Sequence, residues 1–86
     1  MYRLRFLADA ERDLNALDRS VSVRILRKLE WLAQNTEQIV GEALRSELSG
    51  LMKLREGDYR ILYNLDRNEK VVIVAMISHR SGAYKR

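Results

Sequence analysis

Polar and apolar positions along this chain follow two different periods. From Tyr2 to Leu7 they alternate, with Tyr2, Leu4 and Phe6 set against Arg3 and Arg5. A period of two predicts a half-buried strand. From Ala8 to Leu17 the spacing turns helical, with Ala10, Leu14 and Leu17 on one side and Glu11, Arg12 and Asp13 off it. Asp9 is placed to cap that helix by accepting from amides of its first turn. Asp18-Arg19-Ser20 breaks the pattern, and Ser20 is the expected cap of a longer helix from about Val21 to about Gln34. Ile25, Leu26, Leu29, Leu32 and Ala33 form its apolar stripe, with Trp31 beside it.

Residues 35–49 are less regular. Glu42 to Arg45 reads as a short turn, and Ser49-Gly50 punctuates the chain before a second alternating stretch. Met52 and Leu54 then alternate with Lys53 and Arg55. Tyr59, Ile61, Tyr63 and Leu65 alternate with Arg60, Leu62 and Asn64. Gly57-Asp58 between them is a favoured two-residue hairpin turn, because glycine supplies a positive φ at its first position. Asp66 to Lys70 makes a longer polar turn. Val71 to Ile77 carries no polar residue, which predicts a central strand buried on both faces. The order β-α-α-β-β-β predicts an α+β fold over residues 1–86 as one domain: an N-terminal strand, a helical hairpin, then a three-stranded antiparallel meander. The oily helix stripe must cover one sheet face, which leaves the other free to carry a site.

Register sharpens the site. With Gly57-Asp58 as the turn, Glu56 opposes Tyr59, Arg55 opposes Arg60, Leu54 opposes Ile61 and Lys53 opposes Leu62. Alternation then puts Lys53, Arg55 and Arg60 on one face, and Met52, Leu54, Ile61 and Tyr63 on the other, under the helices. Like charges opposite one another are unfavourable in a sheet, so the pairing points to an anion on the open face. His79 and Arg80 follow the last strand, and Tyr84 comes five residues after His79.

These residue types are what cleavage of a phosphodiester by a ribose 2′-hydroxyl requires. A base removes the hydroxyl proton, cations stabilise charge on the phosphorus oxygens, and an acid protonates the leaving 5′-oxygen. Histidine titrates near pH ~6.5 in model peptides and serves either role. Arginine offers a forked contact to phosphate, and tyrosine stacks on a base or exchanges a proton. As ordinary residues, Lys53, Arg55 and Arg60 would be the outward charges of a half-wet sheet, and a lone histidine at a strand end a surface residue. Tyr63 reads as core, and Trp31 as packing or a partner contact.

The formal net charge of +4 is unevenly spread. Residues 1–50 carry eight Lys/Arg and eight Asp/Glu, and residues 51–86 carry eight and four. The whole excess lies in the C-terminal part, which favours a nucleic-acid or acidic-protein partner. One histidine and no cysteine leave no credible zinc or two-metal site, so neither a metal nor a cofactor is expected. The serines show no Gly-x-Ser-x-Gly elbow. With no cysteine, no apolar leader and no membrane-length apolar run, the expectation is a soluble, cytoplasmic protein without a membrane partner.

The stretch from Leu48-Ser49-Gly50 to Tyr63, with the valine-rich strand, His79-Arg80 and Tyr84, resembles the RelE/ParE superfamily of bacterial toxins. The shared pattern is a basic strand, Gly-Asp-Tyr-Arg-Ile-Leu-Tyr, the apolar strand and a His-Arg pair with a tyrosine shortly after. The opening strand and helices also suit the family. The resemblance implies a microbial-RNase-like fold and a cognate antitoxin, with operator DNA reached only through that antitoxin. In the RelE branch it implies ribosome-dependent cleavage of mRNA in the decoding site. Lys53, Arg60, Arg80 and Tyr84 match basic and aromatic residues of RelE-type cleavage, and Arg55 falls on another basic position. The implied RNA-binding set is Lys53, Arg55, Arg60, Arg80 and Lys85. His79 matches a histidine of the YoeB-like branch that works with an arginine and a glutamate, and Glu42 is the candidate for that glutamate. The chain departs from the pattern at Leu51, where some RelE toxins carry a second lysine, and this shifts weight toward His79. Whether His79 or Tyr84 is the base stays open. Two rival functions accompany the fold: a ParE-like gyrase inhibitor without catalysis, and a degenerate toxin kept as the partner of a regulatory antitoxin. The ParE branch tends to lack the cluster Lys53, Arg60, His79 and Arg80, so its presence favours cleavage.

Overall fold

A computed structural model describes residues 1–43 and 51–79, with side chains to residue 38 in the first stretch. The elements are β1 (Arg3–Phe6), α1 (Ala8–Asn15), α2 (Arg19–Ala43), β2 (Met52–Glu56), β3 (Tyr59–Asp66) and β4 (Val71–His79). The strands form one sheet in the order β1-β4-β3-β2. The α+β reading holds, with β2, β3 and β4 as an antiparallel meander. β1 joins it parallel to β4, so the sheet is mixed.

Alternation decides which face is buried. Ala10 of α1 and Ile25, Leu29, Leu32 and Ala33 of α2 pack on Ile61, Tyr63, Val72, Val74, Ile77 and Tyr2. Both helices therefore cover the same side. Ile25, Leu29, Ile61, Val72 and Val74 have no exposed surface. Truncating the larger of these to alanine costs ~2–5 kcal/mol each, a large part of a small domain's stability.

α2 runs nine residues beyond the predicted end at Gln34. The polar run Gln34 to Gln38 suggests a break, but the helix satisfies it from within. The Asn35 amide donates to the Trp31 carbonyl at 2.7 Å, and the Thr36 hydroxyl donates to the Leu32 carbonyl. Back-bonding of this kind lets a small polar residue sit on a helix's core side, and Thr36 is 1% exposed. Both predicted caps move. Leu7 holds the α1 N-cap position without a side-chain cap, while Asp9 lies in the first turn and receives Arg12 at 2.7 Å. Ser20 lies inside α2, and Asp18 precedes it. The Asp18 carbonyl accepts from the Val21 and Ser22 amides at 3.0 and 2.9 Å.

The β2–β3 register is the predicted one, from Glu56↔Tyr59 through Lys53↔Leu62, and Gly57 adopts φ 60°. In the β3–β4 turn, Asp66 Oδ1 accepts from the Asn68 and Glu69 amides at 3.1 and 2.9 Å. Lys70 takes φ 58°. Its ammonium meets Glu37 of α2 at 2.7 Å, and the N-terminal ammonium lies 3.9 Å from the same carboxylate. The hydrogen bond between them holds the Glu37 carboxyl below its ordinary pKa and the Lys70 ammonium above its own.

β4 occupies an interior place, as expected, but continues to His79 and is not buried on both faces. Val72, Val74 and Ile77 lie under the helices, whereas Ile73, Ala75 and Met76 are half-buried on the open side. A bulge interrupts it: Tyr63 pairs with Val74 and Leu62 with Met76, which leaves Ala75 over. An extra residue reverses the alternation beyond it. Core positions thus shift from Val72 and Val74 to Ile77.

Candidate functional site

Lys53, Arg55 and Arg60 share the open face, as the turn requires. Lys53 and Arg55 are exposed and Arg60 is half-buried. Arg60 lies between Arg55 on β2 and Ser78 on β4, and the next open-face row is Lys53, Leu62 and Met76. Glu56, at the end of β2, goes the other way. It lies on the helix side, 3.7 Å from Arg24 of α2. The register thus gathers three cations on the open face and turns Glu56 to the helix side.

His79 does not join those cations. Beyond the Ala75 bulge it shares the side of Ile77 and pairs with Tyr59. The two rings meet edge to face, with centroids 5.1 Å apart and planes at 87°. They line a cavity of about 510 Å³ together with Arg12, Asp13 and Leu17. Asp13 closes a gap in the sheet edge here. β1 ends at Phe6, and the Leu7 amide makes a last bond to the Val74 carbonyl at 2.9 Å. The Ile77 amide, past the end of β1, donates to Asp13 Oδ2 at 3.0 Å. A buried amide needs such a partner, and this one ties the His79 end of β4 to α1.

Arg80, Tyr84 and Lys85 lie outside the described residues, as does the side chain of Glu42. Tyr63 belongs to the core at 8% exposure, and burial pushes its hydroxyl pKa up. Trp31 is not buried in the core. It is 46% exposed, with the Lys28 ammonium 4.9 Å from its ring centroid. Two arginines not counted in the site from sequence, Arg3 and Arg5, also face the open side. Their alternation was visible, but only the parallel β1–β4 pairing places them on the face of Arg60. Among the described residues, no three His, Cys, Asp or Glu side chains gather to hold a metal ion, and no helix is long and apolar enough to cross a membrane.

The fold and this face define a class: a two-layer α+β protein with helices on one side of a mixed sheet and cations on the other. Comparison with known proteins makes the class specific. The family model described as ParE toxin of type II toxin-antitoxin system, parDE, matches residues 4–84. The chain is 32% identical to toxin RelG of Mycobacterium tuberculosis over 85 residues, covering 99% of this chain and 98% of that one. It is 31% identical to toxin RelE of the same organism, covering 98% and 87%. The toxin chain in the crystal structure of the toxin-antitoxin complex RelBE2 from M. tuberculosis superposes with a TM-score of 0.71 at 32% identity, covering 92% of this chain and 98% of that one. The chain belongs to the RelE/ParE superfamily and is a RelE-like toxin of a type II toxin-antitoxin system.

Proposed function

We propose that this toxin is a cytoplasmic, metal-independent endoribonuclease that cuts mRNA on the ribosome, and that a cognate antitoxin restrains it. The observation that carries the reading is the charge-sorted hairpin, with Lys53, Arg55 and Arg60 on the open face and Glu56 turned away to Arg24. A phosphodiester fits that face better than a neutral metabolite, because forked guanidinium contacts suit phosphoryl oxygens.

In the reaction, a ribose 2′-oxygen attacks the adjacent phosphorus and gives its proton to a base. Negative charge grows on the non-bridging oxygens, where Arg60, Lys53 and Arg55 stabilise it. The bond to the 5′-oxygen breaks and an acid protonates that oxygen. The products are a 2′,3′-cyclic phosphate and a 5′-hydroxyl end. Family resemblance adds Arg80 and Lys85 to the phosphate contacts and Tyr84 to proton transfer. His79 lies beside Tyr59 on the other side of the sheet, so proton transfer is assigned to Tyr84 rather than to it. An open face of this size does not by itself hold attacking oxygen, phosphorus and leaving oxygen in line. The ribosome would impose that alignment, and alignment is worth up to ~7–11 kcal/mol of a barrier. The M. tuberculosis relative was crystallised with its antitoxin, which supports the same kind of partner here.

The ParE description of the family model favours one rival, gyrase inhibition without catalysis. Inducible expression with mapping of mRNA 5′ ends separates them. Codon-phased cuts confined to translated regions are expected. DNA damage with intact mRNA would establish the rival instead.

A further inference from the structure

We propose that the open sheet face binds more of the RNA than the phosphodiester being cut, with Arg3 and Arg5 forming a second nucleotide subsite at its far end. This rests on the reading of that face as an RNA site. The register places it. Arg5 shares a row with Ile73 and Asn64, and Arg3 with Val71 and Asp66. Arg60 lies four residues along β3 from Asn64, six from Asp66, and two strands across from β1. At ~3.3 Å per residue and ~4.8 Å per strand, Arg60 is about 16 Å from the Arg5 row and about 22 Å from the Arg3 row. A single phosphate cannot bridge that distance, but several linked nucleotides can.

The ground between is suited to bases. Leu62, Met76 and Ile73 give a half-buried aliphatic floor. At the far end, a cavity of about 330 Å³ lies among Arg3, Arg5, Asp66, Glu69, Val71 and Ile73. Arg3 and Arg5 are exposed and make no ion pair among the described residues, although two carboxylates line the same cavity. Asp66 Oδ1 is already committed to the Asn68 and Glu69 amides. Two cations beside two carboxylates over an apolar floor do not make a site for a bare anion. They suit a nucleotide, with its phosphate on the arginines and the N–H edge of its base toward the carboxylates. An acidic antitoxin segment is the competing occupant, and it would use the arginines without the floor.

The test uses uncleavable RNA and no ribosome, so it stands apart from the nuclease reading. Fluorescein-labelled 2′-O-methyl oligonucleotides of three and eight nucleotides are titrated with the full chain and followed by anisotropy. The octamer is expected to bind about tenfold more tightly than the trimer. The Arg3→Gln/Arg5→Gln variant should lose that gain and leave trimer binding unchanged. Its octamer affinity should also respond less to salt, by about 1.4 in the slope of log K against log salt, since each phosphate contact on a single strand contributes ~0.7. Arg19→Gln/Arg27→Gln on α2 controls for net charge. Equal losses in the two double variants, an octamer indifferent to Arg3 and Arg5, or weakening of antitoxin binding alone would each overturn the subsite. Thermal melting confirms that the variants are folded.

Discussion

Arg55 and Arg60 stand directly opposite each other across β2 and β3. Such a pairing of like charges weakens a sheet by a few tenths of a kcal/mol, on the order of the gain from an opposite pair. A phosphate bound between them would turn the cost into a clamp. Arg60→Ala is therefore expected to leave the fold intact and lower cleavage by about 10²–10³, the effect of deleting one donor at an anion-stabilising site. His79→Gln is expected to cost less than about tenfold, because the Ala75 bulge sends His79 to the Tyr59 side of the sheet. The checks are single-turnover rates on programmed ribosomes. A fully active Arg60→Ala removes the clamp. A His79→Gln loss equal to that of Arg60→Ala would put the imidazole at the reacting atoms and overturn its separation from the cations. The position of His79 was not legible in the sequence. Val71 to Ile77 is uniformly apolar, so no alternation marks which side each residue takes or where the count slips.

The β2–β3 hairpin was legible down to its register, because a two-residue turn between alternating strands leaves one pairing that keeps every apolar side chain inside. Gly57 carries that result. Its φ of 60° is costly for any residue with a Cβ, although a Cβ there would have room, meeting only the Arg24 guanidinium at 3.9 Å. Gly57→Ala is expected to lose about 1–3 kcal/mol through backbone strain alone, or roughly 4–8 °C in Tm per kcal/mol. An unchanged melting curve would show that the turn does not need its positive φ. The longer elements were less legible. α2 was read short because Asn35 and Thr36 look like a break until their side chains find the Trp31 and Leu32 carbonyls. The partner of β1 is set by non-local parallel pairing, which local pattern does not encode. Arg3 and Arg5 were therefore seen as a strand's polar side without being placed on the site's face.

Among the described residues, the helices take one side of the sheet, and Arg3, Arg5, Lys53, Arg55 and Arg60 take the other around a half-buried apolar floor. The net charge of +4 arises wholly within residues 51–86, which include the Lys53–Arg60 hairpin. An antitoxin that neutralises such a face would combine acidic and apolar contacts, and its binding would weaken with salt in proportion to the charged share. On the proposed reading, catalysis would depend on an outside template, the open face supplying charge and the ribosome alignment. The most direct test is single-turnover cleavage of one defined mRNA by purified toxin, programmed on ribosomes or naked, with products resolved at both ends. The expected result is cleavage on the ribosome at least about 10³ faster than on naked RNA, leaving 2′,3′-cyclic phosphate and 5′-hydroxyl ends, and slowed about 10²–10³ by Arg60→Ala. Equal rates on naked RNA, or 5′-phosphate ends from attack by water, would contradict it.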